Sequence, residues 1–280
     1  MYRVSTTLNS PVPYLTRILI YPIKSLDGVA VTKATVLKSG ALQHDREFAI
    51  VDEHGKFVNG KRNPKVHLLR TSFDIDASSD TINRVCLEVQ GTKLGGVFHL
   101  ERERAELEAW LSEYFGFKVK LLQNSLIGFP DDTEASGPTV ISTATLETVA
   151  SWFPELEKGA ISPVEEMRRR IRANLEIGGV PQFWEDRLFA EVGIGVQFQV
   201  KDVQMMGVNP CQRCVVPTRD TFTGEVYPSF QKIFVSQRQE TLPDGVNLSR
   251  FNHFFRLSVN TQIPESEAGK ILQVGDEVEI

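Results

Sequence analysis

The sequence predicts a β-rich α+β fold made of barrels, with few helices between many short strands. Three observations predict it. Short runs rich in branched residues, bounded by Gly, Pro, Asn and Asp, recur along the 280 residues. Helical periodicity is confined to a few windows. Neither Gly-x-Gly-x-x-Gly nor a phosphate-loop signature occurs, which disfavours the nucleotide-binding α/β classes.

Residues 1–13 read as a loose tail ending in Ser-Pro-Val-Pro. "YLTRILIYPIK" reads as a strand that is either an edge or broken at Pro22, because proline cannot donate to a ladder. "REFAIVDEHGKFVNG" predicts a hairpin turning at Glu53-His54-Gly55. "RVCLEVQG" alternates through Val85, Leu87 and Val89, which puts Cys86 on the opposite face. In "ERERAELEAWLSEYFGF" the period changes: Leu107, Trp110, Leu111 and Tyr114 fall at helical spacing, and Gly116 supplies a C-cap. A boundary falls near residue 125, in the turn-rich, acidic stretch "SLIGFPDDTEASGP". It divides the chain into domains over 14–125 and 126–280.

The second half opens with a helix in "TVISTATLETVASWF", capped by Ser142 or Thr143. In "SPVEEM", Ser162, Pro163 and Glu165 form a capping box with proline at the first helical position. "NLEIGGV", "GVQFQVKDVQMMGVNP" and the terminal "ILQVGDEVEI" read as strands. Val196, Phe198 and Val200 alternate with Gln197 and Gln199, so one face is buried. Lys201-Asp202 turns that strand into the next, which delivers Cys211.

Composition limits the function. Hydrophobic residues make up 41% and charged residues 24%, as in ordinary soluble domains. A net charge of -5 argues against general nucleic-acid binding. Three cysteines are no disulfide framework and suit a reducing compartment. The N-terminus lacks a basic start and a long apolar run, and no stretch approaches the roughly 18 apolar residues of a membrane span. A cytoplasmic location with no membrane partner is expected.

The chemistry concentrates in "VNPCQRCVVPTRDTFTG", which holds Cys211 and Cys214. Such a pair can be two buried small hydrophobes. A structural zinc site wants four ligands, and no second Cys pair exists here; His44, His54, His67, His99 and His253 are scattered. A redox dithiol normally opens a helix, and Val215, Val216 and Pro217 are a poor start. A single thiolate could instead hold a soft metal whose other ligands come from a cofactor, with Arg213 beside Cys214 favouring the anion. These residues alone leave the readings open.

"NPCQRCVVPTRDTFTG" resembles the cysteine motif of MOSC-domain proteins. Other segments resemble that family in the same order: "LTRILIYPIKSLDGVAV", "HDREFAIVDEHGKFVNGKRNPKV", "RRRIRANLEIGGVPQFWEDRL" and "ILQVGDEVEI". The resemblance implies an N-terminal MOSC β-barrel domain followed by a β-barrel-like MOSC domain, of the amidoxime-reducing component type. It implies a molybdenum cofactor (Mo-molybdopterin), in which one metal is held by a pterin dithiolene, oxo groups and one protein cysteine. Matched residue by residue, Cys214 is the catalytic metal ligand and Cys211 a neighbour. Lys24, Ser25, Arg46, Arg172, Asn174 and Arg213 match cofactor-contacting positions, where cations and fixed N–H groups would meet a phosphate. Gly28 would allow a tight turn there.

The implied activity is reduction of N-hydroxylated small molecules, with electrons from a separate flavin- or iron–sulfur-type donor protein. A cofactor carrier or sulfur-transfer module is the alternative, and a zinc-bound interaction domain a third. Three residues depart from the pattern and bear on the substrate pocket: Ala173, where relatives often have proline, Leu26, where cysteine is common, and Trp184 before the Glu-Asp step. Asp186 and Asp220 are candidate proton donors by nearness in sequence.

Overall fold

The computed structural model describes residues 12–76 and 81–280; the predicted tail, as far as residue 11, lies outside them. In chain order the elements are β1 (Tyr14–Ile20), β2 (Val29–Val31), β3 (Lys33–Thr35), β4 (Phe48–Asp52), β5 (Leu69–Asp76), β6 (Thr81–Val89) and β7 (Gly95–His99), then α1 (Arg104–Phe115), β8 (Val119–Gln123), β9 (Val140–Ser142), α2 (Thr143–Ser151) and α3 (Pro163–Ile171). They continue with β10 (Leu175–Gly178), β11 (Val196–Val200), β12 (Val203–Gln212), α4 (Phe230–Glu240), β13 (Arg256–Gln262), β14 (Ile271–Gln273) and β15 (Val278–Glu279). The fold is the β-rich α+β class that the sequence predicts.

Eight strands form one sheet in the order β15-β11-β12-β13-β9-β10-β1-β2. Leu15 N–H donates to Asp276 O and Val278 N–H to Pro13 O, so the sheet closes on itself from β1 back to β15. β1, from the first half, thus lies inside the second half's sheet, antiparallel to β10. Closure removes the exposed edge that an open sheet would leave. The first half adds the β5-β6-β7 sheet, the β4–β8 ladder and α1. One hydrophobic core runs through both halves, with Ile18, Val85, Leu87, Val140, Ile177 and Val200 all buried. A second core lies under the helices, where Phe153 and Phe230 stack with centroids 4.2 Å apart.

Local chemistry explains the boundaries. Cys86 is exposed while Val85, Leu87 and Val89 are buried, as the alternation requires. α1 stops at Gly116, whose φ of 84° is left-handed. Ser142 Oγ accepts the Thr145 N–H and caps α2. Ser162 Oγ accepts the Glu165 N–H and caps α3. Only half of the predicted capping box forms, because the Glu165 carboxylate turns to Arg168 and Arg17 instead.

Three expectations change. β1 is flanked by β10 and β2, so Pro22 marks a break and not an edge. The turn after β4 forms, with Asp52 Oδ1 accepting the N–H groups of His54 and Lys56. Its return arm is no strand, however: only a Val51–Phe57 bridge exists before Asn59 Oδ1 draws the chain into another turn by accepting the Lys61 and Arg62 N–H groups. β4 pairs with β8 instead. The terminal segment splits into β14 and β15 at Gly275, whose φ is 98°, and the two pair with β3 and β11.

Candidate functional site

β12 carries Cys211 to the rim of a cleft lined by both halves of the chain. Cys214 follows the strand and is half-buried in the same cleft. Its Sγ accepts the Val216 N–H at 3.5 Å. The loop beyond is tied to α3. Buried Glu166 accepts Arg170 Nε at 2.7 Å and Thr221 N–H at 3.0 Å, and Arg170 Nη1 donates to Pro217 O at 3.1 Å.

The hydrogen bonds of the Arg213 guanidinium go to groups other than Cys214, the thiol that the sequence pairs it with. Its Nη1 lies 3.2 Å from Cys211 Sγ and 3.4 Å from Ser258 Oγ, and its Nη2 donates to Ile171 O. Arg213 lies just past the end of β12, and its guanidinium reaches back to the residue two positions earlier. Both thiols are free, and both line the cleft.

Lys24 is 7% exposed. Its Nζ donates to Phe129 O at 2.8 Å and to Asp131 Oδ1 at 2.6 Å. Burial lowers the Lys24 pKa, and the Asp131 charge opposes that shift. Crowding by the cleft would raise the Asp131 carboxyl, but Lys24 and Arg46 hold it below the usual carboxylate range. Most of the Asp131 side chain still meets water, so this pair contributes little stability.

Ser25 (φ 74°), Arg46 (φ 52°) and Arg172 (φ 57°) all line the cleft from left-handed backbone. Arg46 pairs with Asp45, and its Nη1 lies 3.5 Å from Asn174 Oδ1. Burial works against the Arg46 charge, but Asp45 and Asp131 more than offset it and raise the pKa. Asn174 is held on both sides by the protein. Its Nδ2 donates to Leu19 O at 3.0 Å, and its Oδ1 accepts the Thr139 N–H and hydroxyl, both at 3.2 Å.

Tyr21, unremarked in the sequence, organises these residues. Arg172 lies 4.1 Å and Arg46 5.4 Å from its ring centroid. Its hydroxyl donates to Ala173 O, so the residue at that departure from the family pattern serves through its carbonyl. Burial pushes the Tyr21 pKa up to about 12, so the phenol stays neutral. Gly28 makes room rather than a turn: a Cβ there would lie 2.5 Å from Tyr21 Cε1. Arg172 has neither hydrogen bond nor ion pair from its side chain among the described residues, and burial lowers its pKa.

Among the described residues, nine Lys and Arg side chains line the cleft against four aspartates, in a chain whose net charge is -5. Arg70, Arg169, Arg219, His67, Asp131 and Thr139 belong to this lining and carry no sequence signal by spacing. The acidic stretch read as a boundary supplies Asp131 and Asp132 to it. Neither proton-donor candidate lines the cleft. Asp186 is 5% exposed and ion-paired with Arg238, and Asp220 caps a turn by accepting the Phe222 and Thr223 N–H groups. Leu26 and Trp184 fill the core and stay out of the cleft. Among the described residues no three His, Cys, Asp or Glu side chains gather as metal ligands, which leaves a zinc site without a ligand set. No helix among them is long and apolar enough to cross a membrane.

The family model for the MOSC N-terminal beta barrel domain matches residues 12–117, and the model for the MOSC domain matches residues 138–279. The chain is 24% identical over 273 residues to a molybdenum cofactor sulfurase of Homo sapiens, covering 81% of this chain and 29% of that protein. It is 26% identical over 267 residues to the molybdenum cofactor sulfurase of Drosophila mojavensis, covering 85% and 32%. It is 24% identical over 231 residues to the mitochondrial amidoxime reducing component 2 of Bos taurus, covering 74% and 66%. The chain thus spans about a third of the length of the sulfurases it matches. With the two models matched in order and a cleft lined from both, the chain belongs to the MOSC family, an N-terminal MOSC barrel domain preceding its MOSC domain.

Proposed function

We propose that this protein is a molybdenum-cofactor-dependent oxidoreductase that reduces N-hydroxylated small molecules with electrons from a separate donor protein. One observation carries the reading: a free thiol, Cys214, shares a cleft with an excess of cations and with Arg172, whose guanidinium stacks on Tyr21 and has no hydrogen bond or ion pair among the described residues. This donor set fits a cofactor bearing a metal that takes one protein sulfur, a phosphate, and a pterin rich in polar edges. When bound, the cofactor supplies two-electron redox chemistry for removing the oxygen of an N–O bond as water.

The chain's own residues bind and orient. Cys214 Sγ would hold the metal. Arg172 and Lys24 would meet the anionic end of the cofactor. Asn174 acts by positioning, since it holds Arg46 against Asp45 and ties Leu19 to Thr139. Overall, R–NHOH, two electrons and two protons yield R–NH2 and water.

The test is anaerobic reduction of benzamidoxime by cofactor-loaded protein with reduced methyl viologen as donor. Benzamidine should form at one equivalent per two electrons consumed, and Cys214→Ser should fall to background. No turnover of an amidoxime, a hydroxylamine or an N-oxide would contradict the proposal. A carrier or sulfur-transfer role is the second reading, and the Cys211 thiol beside Arg213 in the same cleft favours it. That role requires exchangeable cofactor without turnover, and a functional loss in Cys211→Ser.

A further inference from the structure

One wall of the cleft holds more positive charge than the residues assigned to the cofactor account for. It is made by Arg70 on β5, Arg169 on α3 and Arg219 beyond the cysteine loop, with the Phe222 ring, itself outside the lining, packed against the first two. Arg169 lies 4.7 Å and Arg70 5.5 Å from the Phe222 ring centroid. The aromatic ring therefore helps fix both guanidinium planes.

These arginines keep hydrogen-bonding capacity to spare. Arg169 has no hydrogen bond or ion pair among the described residues, and its Nη1 is buried. Arg219 donates through Nη1 to Gly224 O, but its buried Nε has no partner. Arg70 donates through Nη2 to His67 O at 2.6 Å and lies 3.3 Å from Asp27, yet its Nε is buried and unpartnered. Burial lowers the Arg70 pKa; Asp27 opposes this, and Arg169 adds to it. Asp27 pairs with Arg70, and Glu166, the other acid acting on Arg70, is held by Arg170 and Thr221, so Arg169 and Arg219 have no carboxylate partner among the described residues and can take an entering anion. In the proposed reading the cofactor's single phosphate would be met by Lys24 and Arg172.

We propose that the Phe222 wall is a subsite for a carboxylate carried by the substrate, so that the protein selects anionic N-hydroxylated compounds. Planar, bidentate donors suit a carboxylate, and unsatisfied buried donors discriminate against a neutral analogue. This inference rests on the reductase reading of the cleft.

The experiment compares equilibrium binding of benzamidoxime and 4-carboxybenzamidoxime to the purified protein by calorimetry, with molybdenum and pterin content measured on the same samples. The carboxylated probe should bind about tenfold tighter, and less so at high salt. Arg169→Gln and Arg219→Gln should each abolish most of that preference while keeping the neutral probe's affinity, the metal content and the melting temperature. Equal affinities in the unmodified protein, or binding of neither probe, would overturn the subsite. So would loss of pterin together with the preference, because the wall would then hold the cofactor's phosphate. If the preference holds but no amidoxime is reduced, the reductase reading fails and the subsite stands.

Discussion

Arg172 holds its backbone at φ 57° and its guanidinium 4.1 Å from the Tyr21 ring centroid. Ser25 and Arg46 share the left-handed conformation, which for a non-glycine residue costs of order 1 kcal/mol. Arg172, Ser25 and Arg46 are three of the eight described non-glycine residues with positive φ, and they are the three that line the cleft.

The fold couples the titration of Glu185 to stability. Glu185 is 1% exposed, and Thr145 donates to its Oε2 at 3.1 Å. Burial first, and Asp186 next, push its pKa from an ordinary 4.5 up to about 7. The folded state therefore holds this proton more tightly than the unfolded state. The stabilisation is full below the ordinary value and is lost as pH rises to about 7. Urea unfolding should show Glu185→Gln lacking a decline of up to about 3 kcal/mol that the unmodified protein shows across this window. Parallel stability curves would contradict the assignment.

What was legible at this scale followed local chemistry. Cys214, Lys24 and Arg172 could be picked from the resemblance because each lies in a recognisable segment. Tyr21 and Asp131 could not, since their roles depend on partners far along the chain. Asp186 and Asp220 looked like acids near the motif, but one is spent on Arg238 and the other on a turn.

Among elements, β12 bears the greatest constraint. It pairs with β11 and β13, and its register against β13 shifts between Gly207 and Asn209 and again between Pro210 and Gln212. Such irregularities re-aim a strand end, here the end that bears the cysteines. Gly207 also lets the strand pass the turn at Trp184–Leu188: a Cβ there would lie 1.8 Å from Leu188 O. Backbone has to move to accommodate it. Gly207→Ala should therefore destabilise by about 1–3 kcal/mol, read as a melting temperature several degrees lower. An unchanged melting temperature would show that β12 does not press on that turn. Helices were readable here because Ser142, Ser162 and Gly116 are local signals. The missing return arm after β4 was not, because Asn59 reroutes the chain and β8 takes the ladder.

The whole molecule explains why the site is assembled from both halves. Closure of the sheet sets β1 beside β10, and Asn174 Nδ2 reaches Leu19 O across 155 residues. Lys24 and Arg46 are thereby brought to the cleft that holds Arg172 and Cys214. Class and strand content followed from alternation and turn residues; which distant strands pair did not, since pairing depends on burial that no local window records. The acidic chain carries a cationic cleft, which attracts anions against the net charge.

The most direct test of the account is metal and pterin content of protein purified from a host that makes the molybdenum cofactor. Mass spectrometry and fluorescence of the oxidised pterin should give near-equal molybdenum and pterin, lost in Cys214→Ser and retained in Cys211→Ser. Zinc without pterin, or equal losses from both cysteine variants, would contradict it.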